Sequence, residues 1–479
     1  MTPKLEQFRL DLYEYLPQRR DALLDLIDAL ASNTFARSVI ELSLSPLFRR
    51  EYSSLPDAID SFFQATSAET EVEERQSREQ GLIRLIEPYL PRPQERPFWL
   101  WGIDVTSIPR QYARTLEDRT YVYQPNTVQG NKPVTIGHQA SVLVCLPDKE
   151  ALSPPWLLPL IISRVSSCQT KNEAGVAQVK QLLADETMPF AQELNVLVGD
   201  SAYSSAFFLG PTADYENLVT VSRAAANRVF YRQPPVLSPH QKPGKGHPTW
   251  YGQPFCLKKP ATWGTPDETF STDYTSRRGN RYTLHLEGWH NLLMRGKRGL
   301  PMHKHPFTLV RARLLDAEGK SIFKRPLWLI AMGERRHQLS LFDLWYSYEQ
   351  RVDMEHFFRF GKQKLLLVDY QTPIAEHEEN WWQIVQLAYL QLYLARDLAE
   401  ALPRPWEKGL FKAVQGVVAS PAMTLRAFER IISQIGTPAK PPKPRGKSSG
   451  RAMGQKPGLR KRYPVIKKAK PGQKLPAAA

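Results

Sequence analysis

Apolar positions along the chain change their spacing several times, and each change marks a change of element. Up to about residue 92 they recur three and four apart, as in Arg19 to Ala31 (RRDALLDLIDALA), Asp57 to Phe63 and Glu79 to Leu90. That is the spacing of a helix with one buried face, so residues 1–92 are expected to form a helical domain. The proline-rich stretch Pro91 to Pro97 ends the pattern and marks a boundary.

From Phe98 the apolar residues gather into short blocks instead. Phe98 to Ile103, Val134 to Leu146, Trp156 to Val165, Leu194 to Val198 and Asn217 to Arg223 read as strands, with a helix at Glu173 to Leu183. Strands, then a helix, then strands suit an α/β fold built on a mixed sheet. Between Ala224 and Lys324, Pro, Gly, Tyr, His and basic residues are dense. Alternation in Arg281 to Leu286 and Phe307 to Leu314 predicts short strands joined by long turns. Core-like residues return at Phe323 to Met332. Leu341 to Lys364 is then expected as one helix, and Trp381 to Ala401, apolar on most sides, as a long helix behind the sheet. After residue 436 few core formers remain, and the tail is expected to be disordered.

Composition narrows the setting. A chain of 479 residues with 42% hydrophobic content can bury a large core. No apolar run is long enough to span a bilayer, and Met1 to Arg20 lacks the apolar centre of a signal peptide. Cys145, Cys168 and Cys256 are scattered and odd in number, which fits neither a disulfide framework nor a zinc site and points to the cytoplasm. The net charge is +16, yet Lys440 to Lys474 holds thirteen Lys and Arg and no acid, so the rest of the chain is nearly balanced. Such a tail attracts nucleic acid by counterion release, although it also serves as a solubilising end. Lys242, Lys245, Lys258, Lys259, Arg277, Arg278, Arg295, Lys297 and Arg298 could touch a DNA backbone or simply remain solvated.

The densest candidate chemistry lies in Tyr348 to Lys362, YEQRVDMEHFFRFGK. At about 100° per residue, Tyr348, Arg351, Glu355 and Lys362 fall within roughly 60° of a helical arc, with Asp353 on the far side. A carboxylate flanked by two cations and a hydroxyl suits a metal-assisted reaction at a phosphate. An Arg351–Glu355 pair at i, i+4 is equally common as a surface ion pair. Two further acids change the balance. Asp104 ends the strand block Phe98 to Ile103, and Asp200 follows Leu194 to Val198 just past Gly199. Either alone reads as a turn or an N-cap. Taken with Glu355, they form a set of oxygen ligands for Mg2+ or Mn2+.

The spacing Tyr-x2-Arg-x3-Glu-x6-Lys resembles the YREK signature of DDE transposases from bacterial insertion sequences, and the order Asp104, Asp200, Glu355 resembles that family's acid triad. The likeness covers roughly Pro97 to Arg396. It implies a ribonuclease-H-like catalytic core at 97–223 and 325–436, a β-rich insertion at 224–324, an N-terminal domain at 1–92 that recognises terminal inverted repeats, and a basic tail at 437–479. It further implies cut-and-paste transposition. Two Mg2+ ions would be held by Asp104, Asp200 and Glu355 for cleavage and strand transfer into target DNA, by a homodimer on paired ends near the nucleoid. Tyr348, Arg351 and Lys362 would bind phosphates, with Arg223 as a further contact, and Trp328 would stack on a flipped base unless it is a core residue. The competing readings are a nuclease of the same fold without strand transfer and an inactive DNA-binding derivative.

Overall fold

The computed structural model describes residues 4–16, 18–63, 71–124, 133–148, 153–235, 250–276, 279–297, 299–401, 406, 418–444, 450, 452–456 and 458–468. Of the basic residues named above, Lys242, Lys245, Arg277, Arg278 and Arg298 lie outside them. Helices α1 (Lys4–Tyr15), α2 (Arg20–Ala31), α3 (Ser54–Asp60) and α4 (Glu71–Ile86) open the chain. The sheet begins with β1 (Trp99–Pro109), β2 (Thr120–Tyr123), β3 (Val134–Cys145) and β4 (Leu158–Arg164). Helix α5 (Lys171–Leu182) crosses to β5 (Asn195–Gly199), and α6 (Ala206–Ala213) leads to β6 (Leu218–Arg223).

Strands β3 and β4 pair antiparallel, as do β1 and β3, while β1, β5 and β6 run parallel. The parallel strands are apolar on both faces because helices cover both sides. This is a ribonuclease-H-like mixed sheet. It does not stop at β6. After a short hairpin, β7 (Val229–Tyr231) and β8 (Pro254–Cys256), come β9 (Glu268–Thr275), β10 (Arg281–Leu292), β11 (Phe307–Leu315) and β12 (Leu327–Met332). Strand β12 pairs with β6, and β11, β10 and β9 follow outward in one sheet. The stretch expected as an insertion of short strands therefore extends the core sheet; β7 and β8 are short and β11 falls where expected, while β10 runs on to 12 residues. Pairing along both edges of β10 carries it from Arg281 to Leu292, with a bulge between Trp289 and Leu292. Strand β12 covers the edge of β6, which would otherwise present unpaired backbone groups.

Helices α7 (Leu341–Glu349), α8 (Val352–Lys364), α9 (Ala375–Ala401) and α10 (Pro421–Ile435) complete the fold. Helix α9 is the central pillar. Trp381, Trp382, Ile384, Val385, Leu387, Ala388, Tyr389 and Leu390 are all fully buried. Its glutamines satisfy the sheet: Gln383 and Gln386 donate to the carbonyls of Ile162 and Leu160 on β4. On its other side α1, α2 and α3 pack against it, so the N-terminal helices share one continuous core with the sheet. The polar clasp of that contact is Arg9, which pairs with Asp28 and donates to Gln391 Oε1 at 2.6 Å, while Gln391 donates to Asp28 at 3.1 Å.

Part of the tail expected to be disordered is docked. Tyr463 N–H donates to the Arg114 carbonyl at 2.9 Å and Ile466 N–H to that of Arg119 at 2.8 Å, forming a parallel bridge from Ile466 to Thr120. Apolar Val465 and Ile466, half-buried, give this segment an anchor that composition alone obscures. Among the described residues no helix is long and apolar enough to cross a membrane.

Removing one partner of a buried ion pair strands the other charge. Arg9→Ala should therefore lower unfolding free energy by about 3–5 kcal/mol in urea titrations. A loss below about 1 kcal/mol would show that the clasp is not needed to hold the N-terminal helices on α9.

Candidate active site

The stretch from Leu341 to Lys364 is two helices, not the single one expected. Arg351 N–H donates to the Tyr348 carbonyl at 3.1 Å, and Asp353 N–H to that of Gln350 at 3.0 Å. These i to i−3 bonds tighten the backbone at Gln350–Arg351 and separate α7 from α8. Tyr348 thus ends one helix while Glu355 and Lys362 ride on the next, with Arg351 at the joint. Asp353 turns into the core, as its far-side placement implied, and is 1% exposed.

The joint aims Arg351 at two acids. Its Nη1 lies 3.0 Å from Asp104 Oδ2 and its Nη2 lies 2.8 Å from Glu355 Oε1. Helix α8 can lie this close to β1 because Gly102 faces it: a Cβ there would meet Met354 Sδ at 2.7 Å. Asp104 sits in mid-β1 and accepts from its neighbour Val105 N–H at 2.8 Å. Asp200 follows β5, whose last residue Gly199 is in register with Ile103, so the two aspartates come side by side. Asp200 also caps the turn Ser201–Ser204 by accepting from Ala202 N–H at 2.8 Å. Burial, reinforced by the nearby Asp200, pushes the Asp104 carboxyl up to about 6, although Arg351 and Lys171 oppose the rise.

Asp104 and Glu355 are thus joined through a guanidinium, with Asp200 beside Asp104 on the neighbouring strand. Among the described residues no three acids, cysteines or histidines are grouped as a ready-made metal cage. Asp104 and Asp200 repel across a short gap, and Arg351 supplies positive charge between Asp104 and Glu355. Hard oxygen donors with an internal cation among them fit a divalent ion that would take over that charge.

The remaining predicted residues divide. Tyr348 is half-buried, its ring lies 5.8 Å from the Arg351 guanidinium, and burial raises its pKa, so the phenol stays protonated and able to donate. Arg223, exposed at the end of β6, is close enough to Tyr348 to favour the phenolate electrostatically. Lys362 is two turns along α8 from Glu355, half-buried, and its pKa is lowered by burial. Trp328 is a correction: it is 2% exposed and packed with Trp263 and Trp289 at ring distances of 5.1 and 5.7 Å. It belongs to a second core with Phe230, Phe255 and Phe307 and cannot receive a base.

Three features escaped the sequence reading. Lys171 opens α5 near Asp104, and the Thr170–Glu173 capping box was a readable sign of that helix start. Tyr203 lies fully buried close to both aspartates, and burial together with their charge holds its phenol protonated. Beside Arg223, a cleft of about 590 Å3 is lined by Arg313, Phe323, Lys324, Arg325 and Trp345.

A family model described as DDE superfamily endonuclease matches residues 11–288, over half of the chain. The match takes in Asp104 and Asp200 and ends before Glu355. No curated protein matches the chain.

A carboxyl held near 6 favours the fold while it is protonated. Its contribution is intact below about pH 4 and is lost as pH rises through 6. In EDTA, Asp104→Asn should come close to the parent at pH 3.5 and exceed its stability at pH 8 by about 1–3 kcal/mol in urea titrations. No gain at pH 8 would show that Arg351 already offsets the burial and repulsion.

Proposed function

The chain belongs to the DDE superfamily endonucleases, metal-dependent nucleases acting on DNA, and from that membership we propose that it is a transposase of the YREK kind. In this reading it cuts the ends of an insertion sequence at terminal inverted repeats and joins them to target DNA. The observation that carries the reading is the bridge from Asp104 through Arg351 to Glu355, with Asp200 alongside.

Asp104, Asp200 and Glu355 hold the metal. When bound, two divalent ions, Mg2+ or in its place Mn2+, supply Lewis acidity to an attacking oxygen and to a departing 3′ oxygen. Arg351 leaves the carboxylates for the scissile phosphate, a bidentate partner of the same charge. The protonated Tyr348 hydroxyl donates to a phosphate oxygen. Arg223 and Lys362 lie on either side of the acids and fix the DNA backbone. In cleavage, a P–O bond to the water oxygen forms and the P–O3′ bond breaks; the water gives up a proton and the departing 3′ oxygen takes one up, leaving a 5′-phosphate and a 3′-OH. In transfer, that 3′-OH forms a new P–O bond with target DNA and a P–O3′ bond of the target breaks, so the count of phosphodiesters is unchanged and no ATP is consumed. A homodimer would hold paired ends, with the N-terminal helices on the repeats.

The matched description, endonuclease, also suits an enzyme that cuts without joining. Both are tested on duplexes carrying the inverted repeats that flank the gene. Asp104→Ala, Asp200→Ala and Glu355→Ala should each lower Mg2+-dependent cleavage at least about 100-fold, and Arg351→Ala by about 100- to 1000-fold, while leaving end binding measurable. Retained cleavage by any acid variant would remove that residue from the metal site. Cleavage with no joined product in a strand-transfer assay would leave the nuclease reading.

A further inference from the structure

The docked tail segment forms one wall of a second cleft, at the opposite end of the β1–α8 seam from the acids. The seam is fixed at both ends. At one, Asp104 meets Arg351 and is joined through it to Glu355 at the start of α8. At the other, Arg110 Nη1 and Nη2 donate to the carbonyls of Val368 and Tyr370, just past α8, at 2.6 and 2.8 Å. Five residues of strand separate Asp104 from Pro109, about 16 Å. Nine residues of helix separate Glu355 from Lys364, about 14 Å. Strand and helix therefore run side by side from the acids to the cleft, with Lys362 between.

The cleft holds about 500 Å3, and among the described residues no carboxylate lines it. Gln111, Tyr112, Gln124, Gln371 and Thr372 present amides and hydroxyls, and Arg460 reaches in from the tail. Tyr112 is 87% exposed. Amides, hydroxyls and a guanidinium without opposing acids are the groups that contact phosphate and sugar along a duplex. Beside Arg460, Lys461, Arg462 and Lys467 are exposed on the same strap, and Lys468 donates to the Gln169 carbonyl at 3.1 Å. The strap is held in place by the backbone bonds of Tyr463 and Ile466 and by Arg119, which donates to the Tyr463 carbonyl at 3.3 Å.

We propose that this cleft and the docked strap form a DNA-backbone subsite for duplex lying about five base pairs from the scissile phosphate, at about 3.4 Å of rise per pair. It rests on the reading of the acids as the cutting site only for that position, not for the binding itself. The strap supplies charge only when anchored on Arg114 and Arg119, so the tail is a built wall and not a free polycation.

The test uses the full chain in Ca2+ and a 30-base-pair duplex of arbitrary sequence, with affinity measured against salt. The triple variant Arg460→Ala, Lys461→Ala, Arg462→Ala should reduce the slope of log K against log salt by about 2–3, near 0.9 for each lost phosphate contact. Ile466→Pro keeps every cation and removes the N–H that anchors the strap, and it should lose part of the same slope. An unchanged slope in the triple variant overturns the subsite. Loss in the triple variant but none in Ile466→Pro overturns the anchoring. Hydroxyl-radical footprints on the flanking inverted repeats then locate the subsite. Protection about five base pairs from the mapped cut should vanish in the triple variant and persist at the cut itself; protection lost elsewhere overturns the position. A protein that binds with the expected slope yet never cuts would sink the transposase reading and leave the subsite standing.

Discussion

Like charge held side by side on neighbouring parallel strands, at Asp104 within β1 and Asp200 just past β5, is the constraint behind the rest of the site. The register of β1 with β5 sets Asp104 beside Asp200, and burial makes their mutual repulsion costly. The fold answers with Arg351, delivered by a tightened joint between two helices and brought near by the bare face of Gly102. The same guanidinium ties Glu355, on an otherwise exposed helix face, to Asp104. A single side chain thus gathers residues from strand and helix that are far apart in sequence.

The width of the sheet explains where the aromatic residues go. Strands β9 to β12 carry the sheet past β6, and their apolar faces need a cover of their own. Trp263, Trp289, Trp328, Phe230, Phe255 and Phe307 supply it as a second core. That use takes Trp328 out of contact with any ligand. The basic and aromatic groups left facing solvent, Phe323, Lys324 and Arg325, sit instead in the turn before β12, beside Arg223.

Much of this was legible in the residues. Short apolar blocks located strands of the mixed sheet, and the acids that end those blocks, Asp104 and Asp200, stood out because a buried strand is a poor place for an unpaired charge; only Asp200 stands at a strand end, since β1 continues past Asp104 to Pro109. The apolar surface that covers most sides of Trp381 to Ala401 read as a long helix packed behind the sheet, and α9 lies there. Other features depend on partners distant in sequence. The break at Gln350–Arg351 involves no glycine or proline, so spacing alone extended one helix through it. The joining of β12 to β6 is a pairing choice that periodicity does not encode. The docking of Tyr463 to Ile466 was masked by the lysines and arginines around it, since composition averages out a two-residue apolar anchor.

The placement of α9 has a consequence for how the chain is made. Helices α1 to α3 are completed within the first 60 residues, yet the surface they rest on, and the Gln391 that closes on Arg9 and Asp28, are translated more than 300 residues later. At about 5–20 residues per second on a ribosome, those helices wait on the order of 15–60 s with their apolar faces uncovered. Apolar faces left open for that long are prone to aggregate, and Arg351 and Glu355 join Asp104 only once the same late stretch of polypeptide has emerged.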